Sequence, residues 1–346
     1  MDNMEKTFQK LVEAAAISGF EESIRDVIAK ELKPHVDSIM TDKVGNLIAQ
    51  KGKGSPKIMF TAHMDELGLI VKYIDKGGFI RFETVGGWDE RILPGIKVKI
   101  HGSKGVVVGV VGTKSVHLQE KDEQKKPYKA KELFIDIGAG SAKDVDKSGV
   151  SIGDFITNYG QLDRLVGSRM TAYGCDDRVG CLELIEIARK AKKFKGTLYL
   201  VGTIQEEIGL IGARGTLFGI NPDVMISLDM TLVGDTPEMK PGEVSTKIGK
   251  GPVMELMDAM SFVNPQAKKW ITETARKKKI RLQELVCGAG AQDSSVAAIV
   301  REGIPSGAVS IPSRYLHTPV EVFDMEDVKQ SIELVSEMIK TAHKYF

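Results

Sequence analysis

Apolar residues recur at helical spacing in two stretches that open the chain, residues 5–16 and 21–32, and Pro34 closes the second. The pattern then changes to short runs. A segment from 42 to 51 holds a Gly45-Asn46 turn followed by Leu47-Ile48-Ala49, and Lys57-Ile58-Met59-Phe60-Thr61-Ala62-His63 is an apolar run that stops at polar residues. Such a run predicts a buried strand that delivers side chains at its C-terminal end. From about 72 to 167 the texture is β-rich and broken by glycines, among them Gly77-Gly78 and Gly86-Gly87, with strand-like runs at 106–111 and 133–137. The charged stretch 120–132 reads as an exposed loop. From 176 onward, strands and helices alternate: helices are expected at 178–192, 212–218, 265–279, 294–302 and 325–345, and strands at 197–203, 224–229, 281–286 and 306–311. Alternation of this kind predicts an α/β fold with a mixed β-sheet between helices, and the glycine-broken block predicts a small β-barrel-like domain inserted into it. The expected division is therefore 1–71 with 168–346 as one domain and 72–167 as the insert.

Composition narrows the class. The 346 residues are 42% hydrophobic and 27% charged, with 48 Lys+Arg against 47 Asp+Glu, so a full core is expected and no global field favours nucleic acid. The densest basic run, Lys277-Lys278-Lys279 with Arg276 and Arg281, reads as a solvated helix end. Cys175, Cys181 and Cys287 form no CxxC pair, which argues against a disulfide framework or a zinc ribbon and suits a reducing compartment. The opening Met1-Asp2-Asn3-Met4-Glu5-Lys6 lacks the apolar stretch of a secretory signal, and no segment reaches the roughly 18 to 20 apolar residues of a membrane span. A cytoplasmic location is the expectation. The 14 methionines, including Met254, Met257 and Met260, are expected to fill core.

Five short motifs stand where loops follow strands, the rim at which open α/β sheets bind ligands. In Thr61-Ala62-His63-Met64-Asp65-Glu66, a histidine and an aspartate two apart in extended chain point to one side, which suits His63 as a metal ligand and Asp65 as the carboxylate that fixes its tautomer. In Tyr173-Gly174-Cys175-Asp176-Asp177-Arg178, adjacent acids either cap a helix or offer one carboxylate to bridge two metals. In Thr203-Ile204-Gln205-Glu206-Glu207, one glutamate can bind metal while the other takes a proton from water. Ser227-Leu228-Asp229-Met230 ends another strand with a carboxylate, and Ser313-Arg314-Tyr315-Leu316-His317 adds a second histidine. Each motif alone fits a polar turn. Together His63, Asp176, Glu207, Asp229 and His317 make two imidazoles and three carboxylates, a mixed N/O set suited to Zn²⁺, Co²⁺ or Mn²⁺ and too large for one open zinc site. It suffices for two metals that share a bridging carboxylate.

These five motifs, in this order and at this spacing, resemble those of the tetrahedral (TET) aminopeptidases, which include glutamyl and deblocking aminopeptidases. The resemblance runs along essentially the whole chain and takes in Ala16-Ile17-Ser18-Gly19-Phe20-Glu21 and Gly249-Lys250-Gly251-Pro252. It implies that His63 and Asp229 hold one metal, that Glu207 and His317 hold the other, and that Asp176 bridges. It also implies Glu206 as general base and Asp65 as orienting carboxylate, with Asp177, across an unusual peptide bond, not a ligand. It implies two divalent metal ions, Zn²⁺ or Co²⁺, peptide substrates cut from the N-terminus, an insert used for dimerisation, and dimers built into a hollow tetrahedral dodecamer. One departure concerns the segment near the substrate pocket, where many relatives carry Gly-Thr-Asp-Ala and this chain reads Gly290-Ala291-Gln292-Asp293-Ser294-Ser295; no side-chain preference is transferred. The competing readings are a dipeptidase or N-deacylase with the same two-metal site, a glycoside hydrolase using paired carboxylates, which leaves both histidines unexplained, and a non-catalytic metal-binding assembly protein.

Overall fold

The computed structural model describes residues 3–240 and 242–346. Its largest element among these residues is an eight-stranded sheet. In spatial order the strands are Ser38–Thr41, Leu47–Lys53, Gly196–Thr203, Lys57–His63, Val224–Thr231, Ser306–Pro312, Val253–Met257 and Gln283–Val286. The four strands from Gly196–Thr203 to Ser306–Pro312 run parallel to their neighbours, and antiparallel pairing on either side makes the sheet mixed.

Each central strand is buried on both faces because its alternate residues feed two separate cores. Ile58 and Phe60 pack with the helices Asn3–Glu13, Glu22–Leu32, Cys175–Lys190, Pro265–Lys278 and Met325–Thr341, whereas Met59 faces the helix Ile211–Ile220 and the 3₁₀ segment Asp293–Ile299. Trp270, fully buried, fixes one helix on another by donating its Nε1–H to Met338 O and Thr341 Oγ1 at 3.2 and 3.1 Å.

The glycine-broken block forms a closed barrel of the strands Gly68–Ile74, Ile80–Val85, Phe134–Asp136, Gly105–Gly112, Lys97–Gly102 and Phe155–Asn158. It encloses its own core, with Leu69, Phe82, Ile100, Ile135 and Ile156 at its centre. A short helix, Ala142–Ser148, was not expected; Ser141 Oγ accepts from Asp144 N at its start, and Gly149 ends it at φ +88°. The expected helix at 294–302 is instead the 3₁₀ segment Asp293–Ile299. The strand Val253–Met257 had no counterpart in the sequence reading. No helix among the described residues is long and apolar enough to cross a membrane.

One core residue conflicts with its surroundings. Glu183, on the helix Cys175–Lys190, is fully buried, and neither carboxyl oxygen has a hydrogen-bond partner among the described residues. Burial pushes its pKa up to about 8; the neighbouring Ser331 hydroxyl opposes the rise without making a hydrogen bond of good geometry. The folded state therefore holds a proton that the unfolded chain loses above its ordinary value, so stability falls as pH rises from about 4.5 towards 8. Glu183→Gln is expected to match the parent's melting temperature near pH 5 and to exceed it by several degrees near pH 9, a gain on the order of 3 kcal/mol. Thermal melts of both proteins at the two pH values check this; a pH-independent difference would contradict it.

Candidate metal centre

The parallel strands end together, and that shared rim collects the polar residues. His63 pairs in register with Thr203, and Asp229 with Ser310, so His63, the loop carrying Glu206 and Glu207, Asp229 and the loop carrying His317 converge at one edge. Asp176 enters from the opening turn of the helix Cys175–Lys190, which packs across the Lys57–His63 and Val224–Thr231 strands. All seven residues singled out from sequence sit here.

The geometry centres on Asp176. Its Oδ1 lies 3.0 Å from His63 Nε2, and its Oδ2 lies 3.5 Å from His317 Nε2. Around His63, Asp229 Oδ1 lies 3.9 Å from the same Nε2; around His317, Glu207 Oε2 lies 3.6 Å away. Both rings are anchored on the far side by carbonyls. His63 Nδ1 donates to Asp65 O at 2.9 Å, and His317 Nδ1 donates to Gly87 O at 3.1 Å. A carbonyl only accepts, so each Nδ1 carries the hydrogen, and in the neutral ring each Nε2 turns a lone pair towards carboxylates. That arrangement is repulsive unless a cation or a proton lies between.

Asp65 orients His63 mainly through its backbone oxygen; its carboxylate Oδ1 is 3.6 Å from the ring. The carboxylate has a second task. It accepts from Glu206 N at 3.1 Å, Glu207 N at 3.2 Å and Ser18 Oγ at 2.6 Å, which pins the loop bearing both glutamates. Glu21 Oε1 accepts from the preceding amide, Gln205 N, at 3.1 Å, where the chain takes the left-handed φ of +53°. Asp177 follows Asp176 through a cis peptide bond, and its carboxylate is spent on backbone: Oδ2 accepts from His63 N at 3.2 Å and Oδ1 from Gly180 N at 2.8 Å.

The donor set fits divalent cations. Donor atoms of His63, Asp176 and Glu207 lie within 4.8 Å of one another, as do those of His63, Asp177 and Asp229. Glu207 Oε1 is buried without a hydrogen-bond partner, and no partner is found for the Glu206 carboxylate among the described residues. The charges respond as a cluster lacking positive charge would. Burial raises the carboxyls of Glu206 and Asp229 well above the carboxylate range and that of Glu207 to about 7. Burial opposes protonation of His317, but the Asp176 and Glu207 carboxylates outweigh it and lift the imidazole to about 10. Asp176 itself, between two imidazoles, is held below its ordinary value despite burial.

A cleft of about 520 Å³ opens over this cluster, within the size range of small-ligand sites. Leu232, Met260, Leu285, Cys287 and Leu316 give it an apolar lining, and Arg214 is the only lysine or arginine among its described lining residues. Met260 is thus a wall residue, half exposed, rather than core filler. Gly290, Ala291 and Gln292 line the cleft, whereas Ser294 and Ser295 are buried away from it, Ser295 Oγ donating to Asp258 Oδ2 at 2.6 Å.

The sequence reading missed residues that tie together the segments carrying the candidate ligands. Arg178 is fully buried: it pairs with Glu66 at 3.0 Å and donates to Leu11 O, Met64 O, Ala14 O and Ala16 O. Glu321 accepts from Asp176 N and His317 N. Each stands beside a motif already singled out, one residue after Asp177 or Asp65 and four after His317, and that adjacency was the available signal.

Residues 45–334 match the family described as M42 glutamyl aminopeptidase. The chain is similar to the lysyl aminopeptidase of Pyrococcus furiosus, at 36% identity over 338 residues that cover 96% of this chain and 95% of that one. Among solved structures it is similar to a TET aminopeptidase from a marine-sediment Thaumarchaeota archaeon, with a TM-score of 0.96, 34% identity and coverage of 100% and 99% of the two chains. It is also similar to the Pyrococcus horikoshii TET1 peptidase, described as able to assemble into a tetrahedron or a large octahedral shell, with a TM-score of 0.89, 31% identity and coverage of 97% and 99%. A match of this extent, carried by relatives that align along nearly the whole chain, makes this protein a member of the M42 glutamyl aminopeptidase family and a metal-dependent aminopeptidase.

Proposed function

We propose that the aminopeptidase works with two divalent cations, Zn²⁺ or Co²⁺, held by His63, Asp229, Glu207 and His317 and bridged by Asp176. The observation that carries this reading is the Asp176 carboxylate, whose two oxygens each face the Nε2 of a different histidine at 3.0 and 3.5 Å. Asp177 is left out because both of its oxygens already accept backbone amides. Cations bound there would supply Lewis acidity, which lowers the pKa of water from about 15.7 towards about 7 and stabilises a developing oxyanion.

The protein's own part is positioning and proton transfer. Glu206, buried at the cleft and with no hydrogen-bond partner for its carboxylate among the described residues, takes the proton of the attacking water and passes it to the leaving amine. Asp65 fixes the His63 ring and the Glu206-Glu207 backbone, so base and ligand keep one spacing. The free α-amine of the substrate, a cation at neutral pH, is drawn to the carboxylates lining the cleft, and this makes the enzyme an exopeptidase.

Self-association into dimers, and further into a tetrahedral dodecamer, belongs to the same reading, with the 72–167 insert as the dimerisation unit. The barrel strand Gly105–Gly112 leaves Val106, Val108 and Val110 exposed at 55%, 49% and 43%, an outward apolar row that another chain would cover. Three free cysteines, two of them buried, support a cytoplasmic setting.

Glu206→Gln is expected to retain the parent's metal content while kcat falls at least about 100-fold; near-parent turnover would remove Glu206 from the role of base. Stripping the metal by chelation should abolish release of N-terminal residues from a mixed peptide panel and lower the melting temperature by several degrees, since ions that bind only the folded state stabilise it. Re-addition of Zn²⁺ or Co²⁺ should restore both, and activity indifferent to chelator would sink the metal reading. Peptides acetylated at the N-terminus should be cut far more slowly than free ones; the reverse order would point to an N-deacylase.

A further inference from the structure

Glu321 opens the strand Glu321–Asp324, whose neighbour Arg169–Ala172 leads directly into the turn carrying Asp176. It is also four residues beyond His317. Its side chain uses both placements. Oε2 accepts from Asp176 N at 3.0 Å, and Oε1 accepts from His317 N at 2.9 Å. The residue is 2% exposed, and no lysine or arginine among the described residues pairs with it.

A carboxylate is suited to this task because it offers two acceptor oxygens and no donor, whereas an amide of the same size would turn N–H against one of the two backbone N–H groups. The two amides belong to the shared carboxylate and to the histidine of one metal position only. On the other side, His63 and Asp229 sit on strands of the central sheet, and the His63 amide is held by Asp177 Oδ2 at 3.2 Å, so that position is tied without Glu321. The geometry points to Glu321 as a positioning residue for the His317–Glu207 metal position: it locks the spacing between Asp176 and His317, while the sheet, Asp177 and Asp65 set the His63–Asp229 position. This inference rests on the two-metal reading above.

The test is a Co²⁺ titration of chelator-stripped protein, followed by calorimetry and by the visible absorption of bound Co²⁺, on the parent and on Glu321→Gln. The parent is expected to take up two equivalents. The variant should keep one with little change and bind the other about 10- to 100-fold more weakly, the usual size of an effect on groups that orient ligands. In a His317→Ala background the same substitution should add no further loss. Equal weakening of both equivalents, no weakening of either, or an additive loss beside His317→Ala would overturn the inference, since general structural support would not select one position. A parent that takes up a single equivalent would instead overturn the two-metal reading, and this inference with it. Metal-free melts establish that the variants fold. Should Glu321→Gln not fold, Glu321→Asp, too short to reach both amides, is read by the same outcomes.

Discussion

Buried like charge is the constraint around which the rim of the sheet is built. Asp65, Asp176, Asp177, Glu206, Glu207, Asp229 and Glu321 all lie out of water beside two imidazoles. Burying a carboxylate costs free energy unless it is paired or hydrogen-bonded. The chain meets that cost in two ways that divide the acids by role. Asp65, Asp177 and Glu321 each accept two backbone amides, and all but that of Gly180 belong to other members of the cluster: Glu206 and Glu207, His63, then Asp176 and His317. Asp176, Glu207 and Glu206 have no such satisfaction for the oxygens that face the cleft. Their missing partner is positive charge, which explains why burial and mutual repulsion push the carboxyls of Glu206 and Glu207 towards protonation in the metal-free protein. The satisfied acids form a scaffold for the unsatisfied ones.

The inserted barrel takes part in that scaffold. Gly87, just beyond the barrel strand Ile80–Val85, supplies the carbonyl that fixes the tautomer of His317. The approach is close: a Cβ on Gly87 would lie 3.1 Å from His317 Nδ1, and one on Gly86 would lie 2.3 Å from Leu67 Cδ2. Trp88 then donates its indole N–H to Gly68 O at 2.9 Å, and Tyr173 donates to Leu67 O, so the strand leaving the first metal motif, the barrel and the turn before Asp176 are tied together. A displacement of the barrel would reach the His317 ring through a single hydrogen bond. The barrel and the rim of the sheet are therefore mechanically adjacent.

Much of this was legible in the sequence. A run such as Lys57–His63 ends where its apolar residues end, so the position of His63 at a strand terminus follows from burial alone. The same holds for Asp229 and for Glu206-Glu207 beyond Thr203. What could not be read were partners defined by three-dimensional closure. Glu321 and Arg178 act on backbone groups far away in sequence, and a backbone amide leaves no mark in the residue alphabet. The strand Val253–Met257 was missed because it is short and pairs antiparallel beside parallel strands, so neither its length nor its neighbours announce it. The segment after Asp293 looked helical, but it buries the five consecutive residues 293–297 against the Ile211–Ile220 helix and the sheet rather than one helical face, and it forms a 3₁₀ turn.

The adjacent pair Glu206-Glu207 raises a physical problem that the loop geometry resolves. Two neighbouring acids on a flexible loop would share one environment, and neither would keep a fixed task. Here the two oxygens of Asp65 each hold one of their amides, Glu21 holds the amide before them, and Gln205 takes a left-handed conformation that bends the chain out of the Gly196–Thr203 strand. With three consecutive amides fixed, the two side chains leave the backbone in different directions. Glu207 reaches to within 3.6 Å of His317 Nε2, while Glu206 is left at the cleft with its carboxylate unengaged. The different surroundings of the two adjacent acids are thus set in the main chain, and the buried Asp65 is what sets them.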